Sequence, residues 1–216
     1  MSGPSHENWL QRWEQGNIGW HESAGSDLLR KWWDVLPSHQ RVLVPLCGKA
    51  LDLLWLEQRG HHVTGVELSA IAIEAFFAEH QLEYTTKDTD GLVCYRANDR
   101  HIEIFCGDYF SFNSEPFSAV FDRGALVALP PALRAQYAEQ TTKLMAPGAA
   151  QLLITLSYAQ DAVAGPPFSV ESSEVRSYWP GLPVAEEFEA LQQSPPKFRQ
   201  AGLKSVMETL WYAPGG

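Results

Sequence analysis

Long apolar runs are the first thing this sequence lacks. Nowhere do about 18 apolar residues follow one another without a charge, and MSGPSHENWLQRWEQG has no charged stretch leading into an apolar one. No membrane span and no secretory leader are expected, and the chain reads as cytoplasmic. Cysteine is scarce as well: Cys47, Cys94 and Cys106 are scattered and form no CxxC pair with a second pair downstream, which excludes a disulfide framework and fits a reducing compartment. Basic runs are missing. Lys and Arg number 16 against 26 Asp and Glu, a formal net charge of -10, and phosphate neutralisation needs clustered Lys and Arg. A nucleic-acid partner is therefore not expected, and a small molecule is. His61 and His62 are adjacent, so on a strand they point to opposite faces and do not chelate one ion together; no metal site is expected.

What is present is enough for one sizeable core: 216 residues with 45% hydrophobic content. The expectation is a single domain over 1–216, with an N-terminal helical region over 1–37 and the core over 38–216. Trp9, Leu10 and Trp13 recur at helical spacing between Glu7 and Gly16, and SDLLRKWWDVLP opens on a Ser26-Asp27 cap signal and stops at Pro37. Between these helices GNIGWHESAGS carries Trp20 and His21 in a glycine-bracketed loop, the composition of a lid. Then strand and helix alternate: strand Arg41 to Leu46, helix Ala50 to Arg59, strand His62 to Glu67, helix Ala70 to His80, which reads as βαβ units in a parallel sheet. VCYRANDRHIEIF puts a turn signal at Asn98-Asp99 between two alternating runs, a β-hairpin feeding a third sheet strand. A fourth strand ends near Phe121, PALRAQYAEQTTKLMAPG is a helix closed by Pro147-Gly148, and AAQLLITLSY is a fifth, buried strand. After Tyr158 a proline-rich loop with one or two helical turns precedes two antiparallel edge strands in VAEEFEALQQ and LKSVMETLWY.

In such a sheet a ligand sits beyond the carboxyl ends of the strands. Four consecutive ends are distinctive: PLCGK, GVELS, CGDYF and FDRGA. Glu67 lies 19 residues past Gly48, close to the spacing at which an acidic residue reaches ribose hydroxyls; the other reading is a cap for the helix beginning near Ser69. The first turn selects the nucleoside. A pyrophosphate needs several bare amides around a tight glycine loop, but PLCGK starts with a proline and offers one glycine. That argues against NAD, FAD and ATP. A nucleoside without phosphate and with an amino-acid tail needs one close backbone approach, supplied by Leu46 to Gly48, and S-adenosylmethionine is such a ligand; Gly48 as a plain strand end is the alternative. Asp108 and Tyr109 stand where adenine would lie, as acceptor and aromatic wall, or Asp108 is an ordinary turn residue. Asp122 and Arg123 lie beside the expected sulfonium; Arg123 binds an anion there, or pairs with Asp122 or a neighbour.

These stretches, with WLQRWEQGNIGWHE at the start, DRGALVALP, and LITLSY followed by GPPFSV, resemble the thiopurine S-methyltransferase family, a branch of the Rossmann-like class I methyltransferases. The resemblance runs from about Trp9 to Tyr212 and is weakest at Glu83 to Asp99 and Val184 to Arg199. It implies an α/β fold with a mostly parallel central sheet, antiparallel C-terminal edge strands, helices on both faces and an N-terminal helical lid. Carried over, it implies that Trp13, Leu46, Glu67 and Arg123 contact S-adenosylmethionine, with Trp9 walling the pocket, Gly48 in the turn, Arg123 as the catalytic group and Trp20 and His21 on the substrate side. The implied activity is methyl transfer to the sulfur of a small aromatic or heterocyclic thiol, or to selenium or tellurium species, by a monomer; thiols of secondary metabolism and halide or thiocyanate acceptors belong to related branches. A thiolate is already a strong nucleophile, so positioning and desolvation supply most of the acceleration and no strong base is needed. Lys197 and Arg199 add charge at the pocket mouth or sit on a solvated loop. Two other classes compete: a non-catalytic cofactor sensor, and a nicotinamide-dependent oxidoreductase favoured only by the Glu67 spacing.

Overall fold

The computed structural model describes residues 6–18, 24–33 and 40–216. Two short helices, α1 (His6–Glu14) and α2 (Asp27–Trp33), precede the sheet, and the Ser26 hydroxyl caps α2 by accepting the Leu29 N–H at 3.2 Å. Then come β1 (Arg41–Pro45), α3 (Asp52–Gln58), β2 (His62–Glu67), α4 (Ala70–Glu79), β3 (Tyr84–Thr89), β4 (Leu92–Ala97), β5 (Ile102–Cys106) and β6 (Phe117–Arg123). α5 (Pro131–Leu144), β7 (Met145–Ser157), α6 (Ser172–Tyr178), β8 (Val184–Glu189), α7 (Pro196–Gln200) and β9 (Met207–Ala213) complete the order.

One nine-stranded sheet runs β3-β4-β5-β2-β1-β6-β7-β9-β8. Its centre, β5-β2-β1-β6-β7, is parallel, and the outer strands on both sides are antiparallel. Strand alternation divides the core. Val42, Val44, Val63, Ile104 and Phe121 pack with α2, α3 and α4 on one face, while Leu43, Val66, Val120 and Leu153 pack with α5 and α6 on the other. Because both faces are covered, the central strands are nearly continuous in apolar residues. The strand order reverses at β1, which has β2 on one side and β6 on the other, and that reversal opens a crevice beyond the carboxyl ends.

The structure corrects several expectations. The fourth strand reaches Arg123 rather than ending near Phe121, so Asp122 and Arg123 belong to the sheet. α5 gives way directly to β7 at Met145, placing Pro147 and Gly148 inside the strand's first residues. The expected hairpin is β4–β5, but an extra strand, β3, joins it through Asp90-Gly91 and forms one sheet edge. Of the two C-terminal strands only β8 is an edge, because β9 is inserted between β7 and β8. PPKFRQ, expected as a loop, contains α7. Leu10 is exposed despite its place in the α1 apolar pattern. The expected stop at Pro37 lies outside the described residues.

Candidate active site

β1 runs into the turn Leu46-Cys47-Gly48, where Leu46 has φ +47° and Gly48 φ +53°. The chain turns through the left-handed region twice with one glycine. For a leucine that conformation costs about 1–2 kcal/mol, and such strain persists only where the surroundings over-determine it. At Gly48 a β-carbon would sit 3.2 Å from Cζ2 of Trp13, so the bare α-carbon lets the indole lie on the turn. Burial, then the Glu67 charge, pushes the Cys47 thiol well up.

Glu67, at the end of β2, ties the first two strand ends together. Its Oε2 accepts the Gly48 N–H and its Oε1 accepts the Ser69 N–H, each at 2.8 Å. The Ser69 hydroxyl in turn accepts the Ala72 N–H and caps α4, so the capping role expected as the alternative for Glu67 is divided between the two residues. An ionised carboxylate offers about four acceptor positions. The Gly48 and Ser69 amides take one position on each oxygen and the Leu68 amide also bonds the carboxylate, which leaves capacity for about one further donor. Burial raises the Glu67 pKa, and the amides of Ser69, Gly48 and Leu68 pull it back.

Beyond β5, the Asp108 Oδ1 accepts the Phe110 N–H at 3.0 Å and lies 3.8 Å from Nε2 of His6. Tyr109, expected as an aromatic wall for adenine, is taken up by the core instead. Its ring stacks 5.3 Å from Tyr137, its hydroxyl is 2.9 Å from that of Thr141, and only 4% of the residue is exposed. The residue alternation after β5 turns Tyr109 toward α5, leaving Asp108 as the side chain at that rim.

At the end of β6, Asp122 faces inward. Its Oδ1 accepts the N–H groups of Ala125 and Leu126 at 3.1 and 3.3 Å, and its Oδ2 accepts the Tyr137 hydroxyl at 2.7 Å. Burial pushes its pKa up to about 6 against these three bonds. Arg123, the next residue, is half-buried at the strand end.

α1 crosses these strand ends. Besides the Trp13 contact with the turn, its Arg12 guanidinium stands over Trp9, at 5.4 Å from the ring, and its charge helps burial push the Lys197 ammonium pKa down. Lys197 and Arg199 are on α7 and not on a loop, Lys197 half-buried and Arg199 exposed. Lys197 Nζ donates to the carbonyls of Ala164 and Pro166, and Arg199 Nη1 donates to those of Leu191, Gln192 and Ser194. Trp20 and His21 lie outside the described residues. Among the described residues no group of three or more His, Cys, Asp or Glu side chains could hold a metal ion, and no helix is long and apolar enough to cross a membrane.

A family model described as "Thiopurine S-methyltransferase (TPMT)" matches residues 5–214. The chain belongs to the thiopurine S-methyltransferase family. The thiopurine S-methyltransferase of Bordetella petrii is 42% identical over 213 residues, spanning 95% of this chain and 96% of its own. That of Pseudomonas putida (strain F1) is 40% identical over 210 residues, with 94% and 96% covered. Among solved structures, a 1,6-didemethyltoxoflavin-N1-methyltransferase of Burkholderia thailandensis, with bound S-adenosylhomocysteine, has a TM-score of 0.65 at 15% identity and covers 96% of this chain and 86% of that one; it shows the fold.

The residues present fit the family's cofactor. Glu67 keeps acceptor capacity beyond its backbone amides, and the Leu46–Gly48 turn has no phosphate cradle to fill. This member of the thiopurine S-methyltransferase family is an S-adenosylmethionine-dependent methyltransferase. Sequence reading singled out Trp13, Leu46, Gly48 and Glu67, and the structure joins Trp13 and Glu67 to the turn through Gly48. It missed Asp52, whose buried Oδ1 accepts the Ser26 N–H at 2.8 Å and fastens α2 beside the turn. It also missed Arg134 and Tyr137. Their only sequence signal is a charged or hydroxylated side chain on the face of α5 that packs on the sheet.

Proposed function

We propose that this enzyme methylates the sulfur of a small aromatic or heterocyclic thiol, bound as the thiolate at the end of β6 beside Arg123. Bound S-adenosylmethionine supplies a methyl group activated by a sulfonium. Glu67 holds the ribose hydroxyls, the Leu46–Gly48 backbone receives the amino-acid end, Trp13 and Trp9 cover the ligand from α1, and Asp108 meets the adenine rim. Arg123 is the catalytic group that holds the acceptor anion.

The observation that carries the acceptor class is the state of Asp122. It is the carboxylate nearest in sequence to Arg123, and both of its oxygens are engaged by the fold itself, through two amides and the Tyr137 hydroxyl, so it is turned to the α5 side and not offered to an acceptor as a base. An acceptor that arrives already ionised needs no such base, and acidic aromatic thiols meet that condition. The names of the relatives support the same class.

The test is turnover of a panel of aromatic and aliphatic thiols, selenite and iodide, with S-adenosylhomocysteine binding measured on the same protein. Arg123→Ala is expected to lower turnover of the preferred thiol far more than cofactor affinity. The reverse pattern would move Arg123 to the methionyl carboxylate, and a preference for iodide would replace the acceptor class.

A further inference from the structure

We propose that Arg134 is a positioning residue for the methyl acceptor, acting through the segment Gly165–Phe168 that it holds against the end of β6. The inference rests on the acceptor-side reading given above. Arg134 lies in the first turn of α5 and is 1% exposed. Its Nε donates to the Leu129 carbonyl at 3.0 Å, its Nη1 donates to Glu174 Oε2 at 2.9 Å, and its guanidinium stands 5.8 Å from the centre of the Phe168 ring. Leu129 closes the 3-10 turn that follows Arg123, Glu174 sits on α6, and Phe168 ends the Gly-Pro-Pro-Phe segment after β7. One side chain joins three segments: the turn after β6, α6 and the Gly-Pro-Pro-Phe segment.

Stability alone does not account for such a residue. The Nη2 atom is buried with no acceptor among the described protein atoms, and an apolar side chain of similar size would avoid the desolvation of a cation there. What the planar guanidinium supplies is simultaneous reach in three directions.

The segment it holds is fixed from every other side too. The Phe168 N–H donates to the Val127 carbonyl at 2.7 Å, the Tyr158 hydroxyl donates to the Pro167 carbonyl at 2.6 Å, and Lys197 holds the carbonyls of Ala164 and Pro166. A β-carbon at Gly165 would overlap the Phe168 ring, so ring and backbone are already in close contact. Val127 in turn belongs to the turn whose first amides, Ala125 and Leu126, are pinned by Asp122. A shift of Phe168 is therefore transmitted back to the residues that flank Arg123. Glu67 and Gly48 share none of these partners, so the effect is confined to the acceptor side.

The experiment uses the full chain and 2-nitro-5-thiobenzoate, a coloured aromatic thiolate whose absorbance is lost on S-methylation. Arg134→Lys keeps the charge but cannot reach the Leu129 carbonyl, Glu174 and the Phe168 face together; Arg134→Met removes the charge. Expected for Arg134→Lys is a KM for the thiol raised about fivefold to tenfold, with kcat and the Kd for S-adenosylhomocysteine each within about threefold of wild type. Arg134→Met is expected to raise KM further, so that lysine rescues in part. An unchanged KM in folded Arg134→Lys, or a KM and a cofactor Kd that rise together, would overturn the proposal. Should Arg134→Met fail to fold, Glu174→Gln, which loosens the same guanidinium from its exposed side, carries the test: the same KM-selective rise supports the role and no rise overturns it. A wild type that binds S-adenosylhomocysteine yet turns over none of the panel thiols would bring down the acceptor class itself, and this inference with it.

Discussion

The carboxylates of Glu67 and Asp122 end two strands that flank β1 on opposite sides, and burial raises the pKa of both. Their partners differ. Glu67 is bonded by backbone amides alone, those of Gly48, Ser69 and Leu68 at the neighbouring strand ends, whereas Asp122 receives two amides of the turn it organises and the Tyr137 hydroxyl from α5. On the β1–β2 side the carboxylate ties two strand ends to each other; on the β6–β7 side it ties a strand end to the turn and the helix behind it.

The comparison breaks first at Asp122. Asp122→Ala leaves two buried amides and a buried hydroxyl without an acceptor, and a loss of about 3 kcal/mol of folding stability is expected in denaturant unfolding. A loss below about 1 kcal/mol would mean that the turn does not depend on this carboxylate. The pH dependence is the second test. With a native pKa of about 6 against an ordinary 3.8, native Asp122 retains a proton that the unfolded chain has released. Between those values the folded state binds more protons, so this residue's contribution to stability falls as pH rises, by about 3 kcal/mol in all, and is level above the native pKa. Asp122→Asn should remove that slope. Parallel stability curves for wild type and Asn variant from pH 4 to pH 6.5 would contradict the assignment.

On the binding side, Glu67→Ala is expected to weaken S-adenosylhomocysteine binding by about 1–3 kcal/mol in calorimetry, the cost of charge-assisted hydrogen bonds to a desolvated ligand. Unchanged affinity in a folded variant would erase the difference between the two carboxylates. The smallest effect is at Leu46. Relief of its left-handed strain in Leu46→Gly offsets the lost side-chain packing and the added chain entropy, so stability should change by no more than about 1 kcal/mol. A loss of the about 2–5 kcal/mol typical of truncating a packed leucine would show that the turn is not strained.

Much of this crevice was legible in the residues. Valine-rich runs alternating with helical segments announce the βαβ units, and GVELS and PLCGK mark the ends of β2 and β1 before any coordinates. The misreadings have local causes. β3, with the pattern YTTKDT, is exposed along nearly all of its length and offers no apolar alternation to read. Tyr109 sits in a motif that suits a ligand wall, yet the turn after β5 aims it at Tyr137, a contact 28 residues away in sequence. Lys197 looks like solvated charge because its partners are backbone carbonyls, which carry no sequence signature.

The sequence by itself determined the elements and the kind of ligand. Periodicity and turn chemistry are local, and a proline-started, glycine-poor turn excludes a phosphate wherever it is folded. Only the tertiary structure decided which donors each strand-end carboxylate gathers, that a leucine carries the strain at the turn, and that Arg134 gathers three segments. Those outcomes depend on which donors reach each buried acceptor across the sheet, and hydrogen bonds between distant residues leave no periodic trace in the chain.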